Sequence, residues 1–111
     1  MGNEKNTISY EDFAKLDLRT AKILKVEDIE GADKLYKLSI EIEKEKRTIV
    51  AGIKEFYSKE ELKGKTIIII ANLEPRKLKG ITSEGMLLAA DENGRPILLT
   101  TDSKKSGLKI K

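Results

Sequence analysis

SKEELKGKTIIII, Ser58–Ile70, decides how the rest of the chain is read. Ser58 with Glu61 three residues on is a capping-box start, so a short helix opens here. Leu62 gives that helix an apolar contact and Gly64 stops it. A strand follows, Thr66 to Leu73, whose four consecutive isoleucines require burial on both faces. Gly64-Lys65-Thr66 imitates the end of a phosphate-binding loop, but Lys59 stands where that loop needs its first glycine, and a strand follows where it needs a helix. The segment is therefore a helix stop and a strand start.

Working toward the N-terminus, Tyr36, Leu38, Ile40 and Ile42 alternate with Lys37, Ser39, Glu41 and Glu43, the period of a half-buried strand. Arg47 to Gly52 returns as its hairpin partner across the charged turn Glu43–Lys46. Leu18 to Ile29 reads as a long strand whose apolar parity slips between Ile23 and Val26, which predicts a bulge. Glu30-Gly31-Ala32-Asp33 is a turn. Ser9 with Asp12 opens a short helix through Lys15, with Phe13 and Leu16 expected to face inward. Residues 1–7 are polar and expected to fray.

Toward the C-terminus, Met86–Ala90 and Ile97–Thr100 read as strands around the turn Asp91–Gly94, and Gly107–Lys111 as a short edge. Five strands with a helix between the third and fourth, and no βαβ rhythm, predict an all-β fold: a small closed or partly open barrel, the five-stranded OB-fold with short terminal additions, one domain over residues 8–111.

Composition narrows the function. The chain has 111 residues, 39% hydrophobic and 37% charged, with net charge +3 and pI about 9.0. That balance suits one modest core and permits an anionic partner. Absence of cysteine and histidine removes thiolate metal sites and the usual neutral-pH base, and no cofactor is expected. Carboxylate pairs such as Glu60-Glu61 and Asp91-Glu92 fall in turns or helix ends, where nothing drives their pKa values apart; no catalytic residues are expected. No apolar run is long enough to span a bilayer. There is no signal-peptide pattern, and Asn6 stands where a myristoylation start needs Ser or Thr, so a cytoplasmic protein is expected.

The candidate site is ANLEPRKLKGITSEGMLLAA, Ala71–Ala90. Arg76, Lys77 and Lys79 fall where one strand leaves the barrel, and Ser83 and Met86 where the next enters. Pro75 stiffens the exit. The loop between the first two strands, Ile29–Lys34, ends in a further cation, Lys34. If both loops share one rim, that rim grips phosphates; Arg76 offers a bidentate fork, and Asn72 and Ser83 offer hydrogen bonds to sugar or base edges. Aromatic content is only 5%, too little for a row of stacking platforms, which favours a structured RNA read by shape and backbone.

These segments resemble the tRNA-binding domain found at the C-terminus of many methionyl-tRNA synthetases and as free-standing subunits. Ala71–Ala90 resembles the family signature; FAKLDLRTAKILKVEDIEGADKLYKLSIEI, Phe13–Ile42, resembles its first two strands; RTIVAGIKEFYSKEELKGKTIIIIANL, Arg47–Leu73, its middle. The resemblance implies an OB-fold, tRNA binding at the outer corner of the L-shape, and homodimerisation. It carries tRNA-binding roles to Lys34, Asn72, Arg76, Lys77, Lys79, Ser83 and Met86; Arg19 also matches but reads as structural. Glu74, Glu84 and Thr20-Ala21 depart from the family pattern, and the two acids are expected to weaken phosphate binding. The implied function is the stand-alone beta subunit of methionyl-tRNA synthetase, raising tRNA affinity for a separate catalytic subunit. The alternative is a chaperone-like homologue that binds peptide segments during protein export.

Overall fold

The computed structural model describes residues 6–111. Of the segment expected to fray, residues 1–5 lie outside that range; Asn6 and Thr7 are exposed. The elements are α1 (Tyr10–Ala14), β1 (Leu18–Ile29), β2 (Ala32–Ile42), β3 (Glu45–Ala51), α2 (Lys59–Leu62), β4 (Thr66–Ile70), β5 (Arg76–Leu78), β6 (Ile81–Ser83), β7 (Met86–Leu87), β8 (Ala89–Glu92) and β9 (Arg95–Leu98). A five-stranded antiparallel sheet runs β3-β2-β1-β4-β7, with β5-β6 and β8-β9 as separate hairpins.

The predicted helix before the fourth strand is present, though only four residues long. Its capping box is complete: the Glu61 N–H donates to Ser58 Oγ at 3.2 Å, and the Ser58 N–H donates to Glu61 Oε1 at 2.7 Å. Two bonds fix it to the sheet. Gly64 N donates to the Ile23 carbonyl at 2.8 Å, and Ile23 N to the Lys65 carbonyl at 2.9 Å. Ile23 is also where the parity slip falls, since the register skips Leu24 between the pairs Ile23↔Ile40 and Lys25↔Ser39. The bulge thus turns β1 from β4 toward β2 at the point where α2 docks.

Ile23, Leu38, Ile40, Ile49, Leu62, Ile67 and Ile69 are fully buried and form one core. Burial of each such side chain is worth about 1.5–3 kcal/mol. Thr66 to Ile69 are buried on both faces as expected, but β4 ends at Ile70 rather than Leu73.

The barrel is not closed. β7 has only two residues on β4, and no ladder joins it to β3. Isolated bonds take the ladder's place: the Ser83 side-chain Oγ accepts from the Val50 N–H at 2.9 Å, and the Glu84 backbone N–H donates to the Thr48 carbonyl at 2.8 Å. Gly85 makes the turn between them. It has φ +138°, and a Cβ there would lie 3.0 Å from the Ile70 carbonyl oxygen, so glycine is required.

Other expectations shift. The first half of the expected strand 86–90 is β7; the chain breaks at Leu88 and the second half joins the Asn93-Gly94 hairpin as β8, with β9 starting early, at Arg95. Phe13 is half-buried and Leu16 exposed, so α1 buries no residue. The C-terminal tail pairs along β1 rather than at a sheet edge: Thr20 N donates to the Leu108 carbonyl at 2.9 Å, Gly107 N to the Thr20 carbonyl at 2.7 Å, and Ile110 N to the Leu18 carbonyl at 2.9 Å. Thr20 explains this. Its fully buried hydroxyl donates to the Lys105 carbonyl at 2.8 Å and accepts from the Leu108 N–H at 2.9 Å. Arg19 is structural as read: it pairs with Asp17 at 2.7 Å and donates to the Gly107 carbonyl at 3.1 Å.

Candidate nucleic-acid interface

The stretch expected to be a loop is a hairpin. Arg76↔Ser83, Lys77↔Thr82 and Leu78↔Ile81 pair across a two-residue turn, Lys79-Gly80. Both turn residues have positive φ, +51° and +81°, the backbone of a tight type I′ turn that a Lys-Gly pair tolerates at its second position. The cations therefore sit on a short two-stranded ribbon instead of a slack loop. Arg76, Lys77 and Lys79 are all exposed. None is ion-paired with a described residue.

Lys34 is placed differently than expected. Only Glu30 and Gly31 turn the chain; β2 begins at Ala32. The register then jumps from Ile29↔Ala32 to Asp28↔Tyr36, which leaves Asp33, Lys34 and Leu35 looped out of the ladder. The exposed Lys34 sits in that irregularity, and its carbonyl accepts from Lys54 N at 3.3 Å. Gly52 links the two segments. A Cβ built on it would meet Leu35 Cδ2 at 3.7 Å and the Lys34 carbonyl at 4.0 Å, and the same glycine lines a cavity with Arg76. Residues 34–35 and the hairpin base thus flank Gly52.

That cavity, about 260 Å³, lies between β3 and the hairpin. Its walls are Leu73, Leu78, Met86 and Leu87, with Glu74 and Arg76 on the polar side. Met86 is 45% exposed and faces this space, so it is not core.

Two of the expected site residues are committed to the protein itself. Ser83 is 5% exposed, and its hydroxyl both accepts from Val50 N–H and donates to the Gly85 carbonyl at 3.2 Å. Asn72 holds the N-terminal segment: its Oδ1 accepts from the Asp17 N–H at 2.8 Å and its Nδ2 donates to the Lys15 carbonyl at 2.7 Å. Both position the hairpin; the buried Ser83 is spent inside the fold, while the exposed Asn72 keeps one N–H and one oxygen lone pair open. Glu84, expected to weaken phosphate binding, accepts from the Thr48 N–H at 3.3 Å and so points at the β3 edge.

Arg47 is the positioning residue that sequence reasoning missed. It pairs with Glu45 at 2.6 Å, and its Nη1 donates to the Ala71 carbonyl at 2.5 Å and to the Glu84 carbonyl at 3.3 Å. One guanidinium thereby ties both ends of the hairpin segment to β3. The sequence holds only a weak sign of this, an arginine opening an otherwise apolar strand.

Six other cations, Lys15, Arg19, Lys25, Arg47, Lys54 and Lys59, are held in ion pairs, whereas Lys22, Lys63 and Arg95, for example, are exposed without one to a described residue. Asp28 accepts from Lys54 at 3.1 Å and Lys59 at 3.0 Å. Lys59, then Lys54, hold its carboxyl below the usual range, and Asp28 in turn raises the Lys59 ammonium. Glu61 is also held low, by the Ser58 N–H and hydroxyl of the capping box.

The family description "Putative tRNA binding domain" matches residues 18–108. The chain belongs to this tRNA-binding domain family. It is 51% identical over 109 residues to a methionine–tRNA ligase of Pyrococcus horikoshii, a match covering 97% of this chain and 15% of the ligase. The domain thus spans about one-seventh of that relative, and the matched part is a binding domain, not the catalytic one. Among solved structures, a methionyl-tRNA-synthetase-related protein from Pyrococcus horikoshii superposes with TM-score 0.90 at 33% identity, covering 95% of this chain and 98% of that one. A CsaA chaperone protein from Picrophilus torridus superposes with TM-score 0.88 at 35% identity, covering 95% and 100%. No helix among the described residues is long and apolar enough to cross a membrane.

Proposed function

We propose that the β5–β6 hairpin is the tRNA-binding element, with Arg76, Lys77 and Lys79 on phosphates, Lys34 reaching the same strand of RNA from beside Gly52, and Met86 in contact at the hairpin base. The observation that carries this is placement: Arg76, Lys77 and Lys79 stand together on one short ribbon and Lys34 stands beside Gly52 near its base, all four exposed and without an ion pair to a described residue. Unpaired cations release counterions when they meet phosphate, which is where the affinity comes from. Asn72 and Ser83 act by holding the hairpin.

On this reading residues 8–111 are an OB-type domain that acts in the cytoplasm as a stand-alone beta subunit. It raises the affinity of a separate methionyl-tRNA synthetase for tRNA by adding a tethered second site. The solved synthetase-related protein of nearly the same length supports a free-standing form. Two copies associate as a homodimer, which would cover the exposed Leu16 and Leu73, neighbours of residues bonded through Asn72.

The test is Arg76→Ala/Lys77→Ala, with tRNA affinity measured by anisotropy between about 50 and 200 mM salt. The slope of log affinity on log salt should fall by about 2, one unit per lost phosphate contact, with unfolding temperature unchanged. A double variant with wild-type affinity and slope overturns the assignment.

The likeness to the CsaA chaperone, together with the apolar walls of the cavity, favours a second reading: capture of an extended peptide at the hairpin base. Peptide binding there would be nearly indifferent to salt, so the same titration separates the two.

A further inference from the structure

Glu74 has no place in a phosphate-binding rim, yet it lines the cavity beside Arg76. Its carboxylate is exposed and has no hydrogen bond or ion pair with a described residue, Arg76 included. The other acid of the segment, Glu84, is bound to Thr48. Glu74 is therefore a free acceptor set at the mouth of an apolar slot whose other mouth group is a cation.

The slot has the size and lining of a base site. Roughly 150 Å³ of apolar space suffices for benzene, and this cavity has about 260 Å³, which admits a two-ring base and is small for larger ligands. Leu78, Met86 and Leu87 supply apolar and polarisable surface for its faces. An acceptor-only carboxylate needs donors opposite it. Of the four RNA bases, guanine alone presents two adjacent donors, N1–H and N2–H₂, on one edge, matching the two oxygens of a carboxylate. Arg76, on the same rim, lies where the nucleotide's phosphate would leave the slot.

We infer that this cavity receives one unstacked guanine, its Watson–Crick edge on Glu74, its faces against Met86 and Leu78, and its phosphate on Arg76. The inference rests on the tRNA-binding reading above and adds to it a base-specific contact. It also gives Glu74 a role opposite to the one its charge suggests, since the acid selects the base while the cations hold the backbone.

Met86 reports on the slot directly. The chain has two methionines, Met1 and Met86, so a ¹³C-methyl-methionine spectrum assigned with Met86→Leu follows one resonance at the cavity. Millimolar GMP should shift the Met86 methyl. Inosine monophosphate, which lacks only the N2 amino group, should bind roughly tenfold more weakly, and UMP should leave the resonance in place. Glu74→Gln should abolish the preference for GMP over inosine monophosphate while leaving the salt slope of tRNA binding unchanged. If GMP and UMP shift Met86 alike, or GMP does not shift it, the base site is wrong. If tRNA binds with a steep salt slope but leaves Met86 unmoved, the base site and the Met86 contact fall while the cationic hairpin stands; if tRNA does not bind at all, the parent reading falls with it.

Discussion

The anchoring side chains and the open side chains of the Ala71–Met86 segment are built on opposite terms. Every polar side chain that holds the hairpin is used by the protein: Asn72 on residues 15 and 17, Ser83 on β3 and Gly85, Glu84 on Thr48, and Arg47 on both ends at once. Arg76, Lys77, Lys79 and Glu74 of the same segment have no such partners among the described residues. A polar group that is satisfied inside the fold contributes to stability, and one left open contributes to binding. Changes to the anchoring residues should therefore move unfolding first, and changes to the open ones should move ligand affinity alone.

Ser83→Ala should produce the largest break in that pattern. It removes the acceptor for the Val50 N–H in a closure that no strand ladder backs up, leaving a part-buried donor unpaired, a cost of about 1–3 kcal/mol. Urea unfolding should show a lowered midpoint with little change in slope. tRNA affinity should fall much less than in the Arg76/Lys77 double variant. Equal loss of affinity in both would mean that the anchoring residues, too, contact the RNA.

That Ser83 and Asn72 are anchoring residues was not legible in the sequence, and the reason is distance. Asn72 bonds residues 15 and 17, more than fifty positions away, and Thr20 bonds a tail more than eighty positions away. A polar residue near a cationic loop looks the same whether it faces a ligand or a remote carbonyl. Features with local signatures were legible: the capping box at Ser58, the bulge after Ile23 from its parity slip, and the Asn93-Gly94 turn. The hairpin at Lys79-Gly80 was missed because its cations and flanking proline read as loop, although Leu78 and Ile81 bracket a two-residue turn. Whether the barrel closes was left open by the sequence for a related reason. An apolar run at residues 86–90 predicts a full strand, and only the backbone geometry around Gly85 and Leu88 shows that two residues pair with β4.

A smaller effect sharpens the contrast between open and neutralised cations. Lys77→Ala should weaken tRNA binding a few-fold at low salt and lower the salt slope by about 1, with no change in unfolding. Lys54→Ala removes the same formal charge but from an ion pair with Asp28, and should lower the slope by distinctly less. Net charge falls equally in the two variants, so identical slopes would show that the domain binds RNA by overall charge and not through the hairpin.

The smallest effect concerns the neutralised cluster itself, and its sign follows from the two shifts. Asp28 is held below its ordinary value of 3.8 by Lys59 and Lys54, so its contribution to stability is present above that pH and is lost as pH falls through the lowered folded value. Lys59 is held above 10.5 by Asp28, so its contribution is present below that pH and is lost as pH rises through the raised value. Between these limits the cluster adds nothing pH-dependent. Asp28→Asn should therefore flatten the acid limb of a stability–pH curve below about pH 4 and the alkaline limb above about pH 10, leaving the neutral range parallel to wild type. All three side chains are substantially solvent-exposed, so the effect should be slight and should shrink as salt screens it. The open cations of the hairpin behave otherwise in one decisive respect: they have no resident carboxylate to lose, so Arg76→Ala/Lys77→Ala should leave both limbs of the curve where they are.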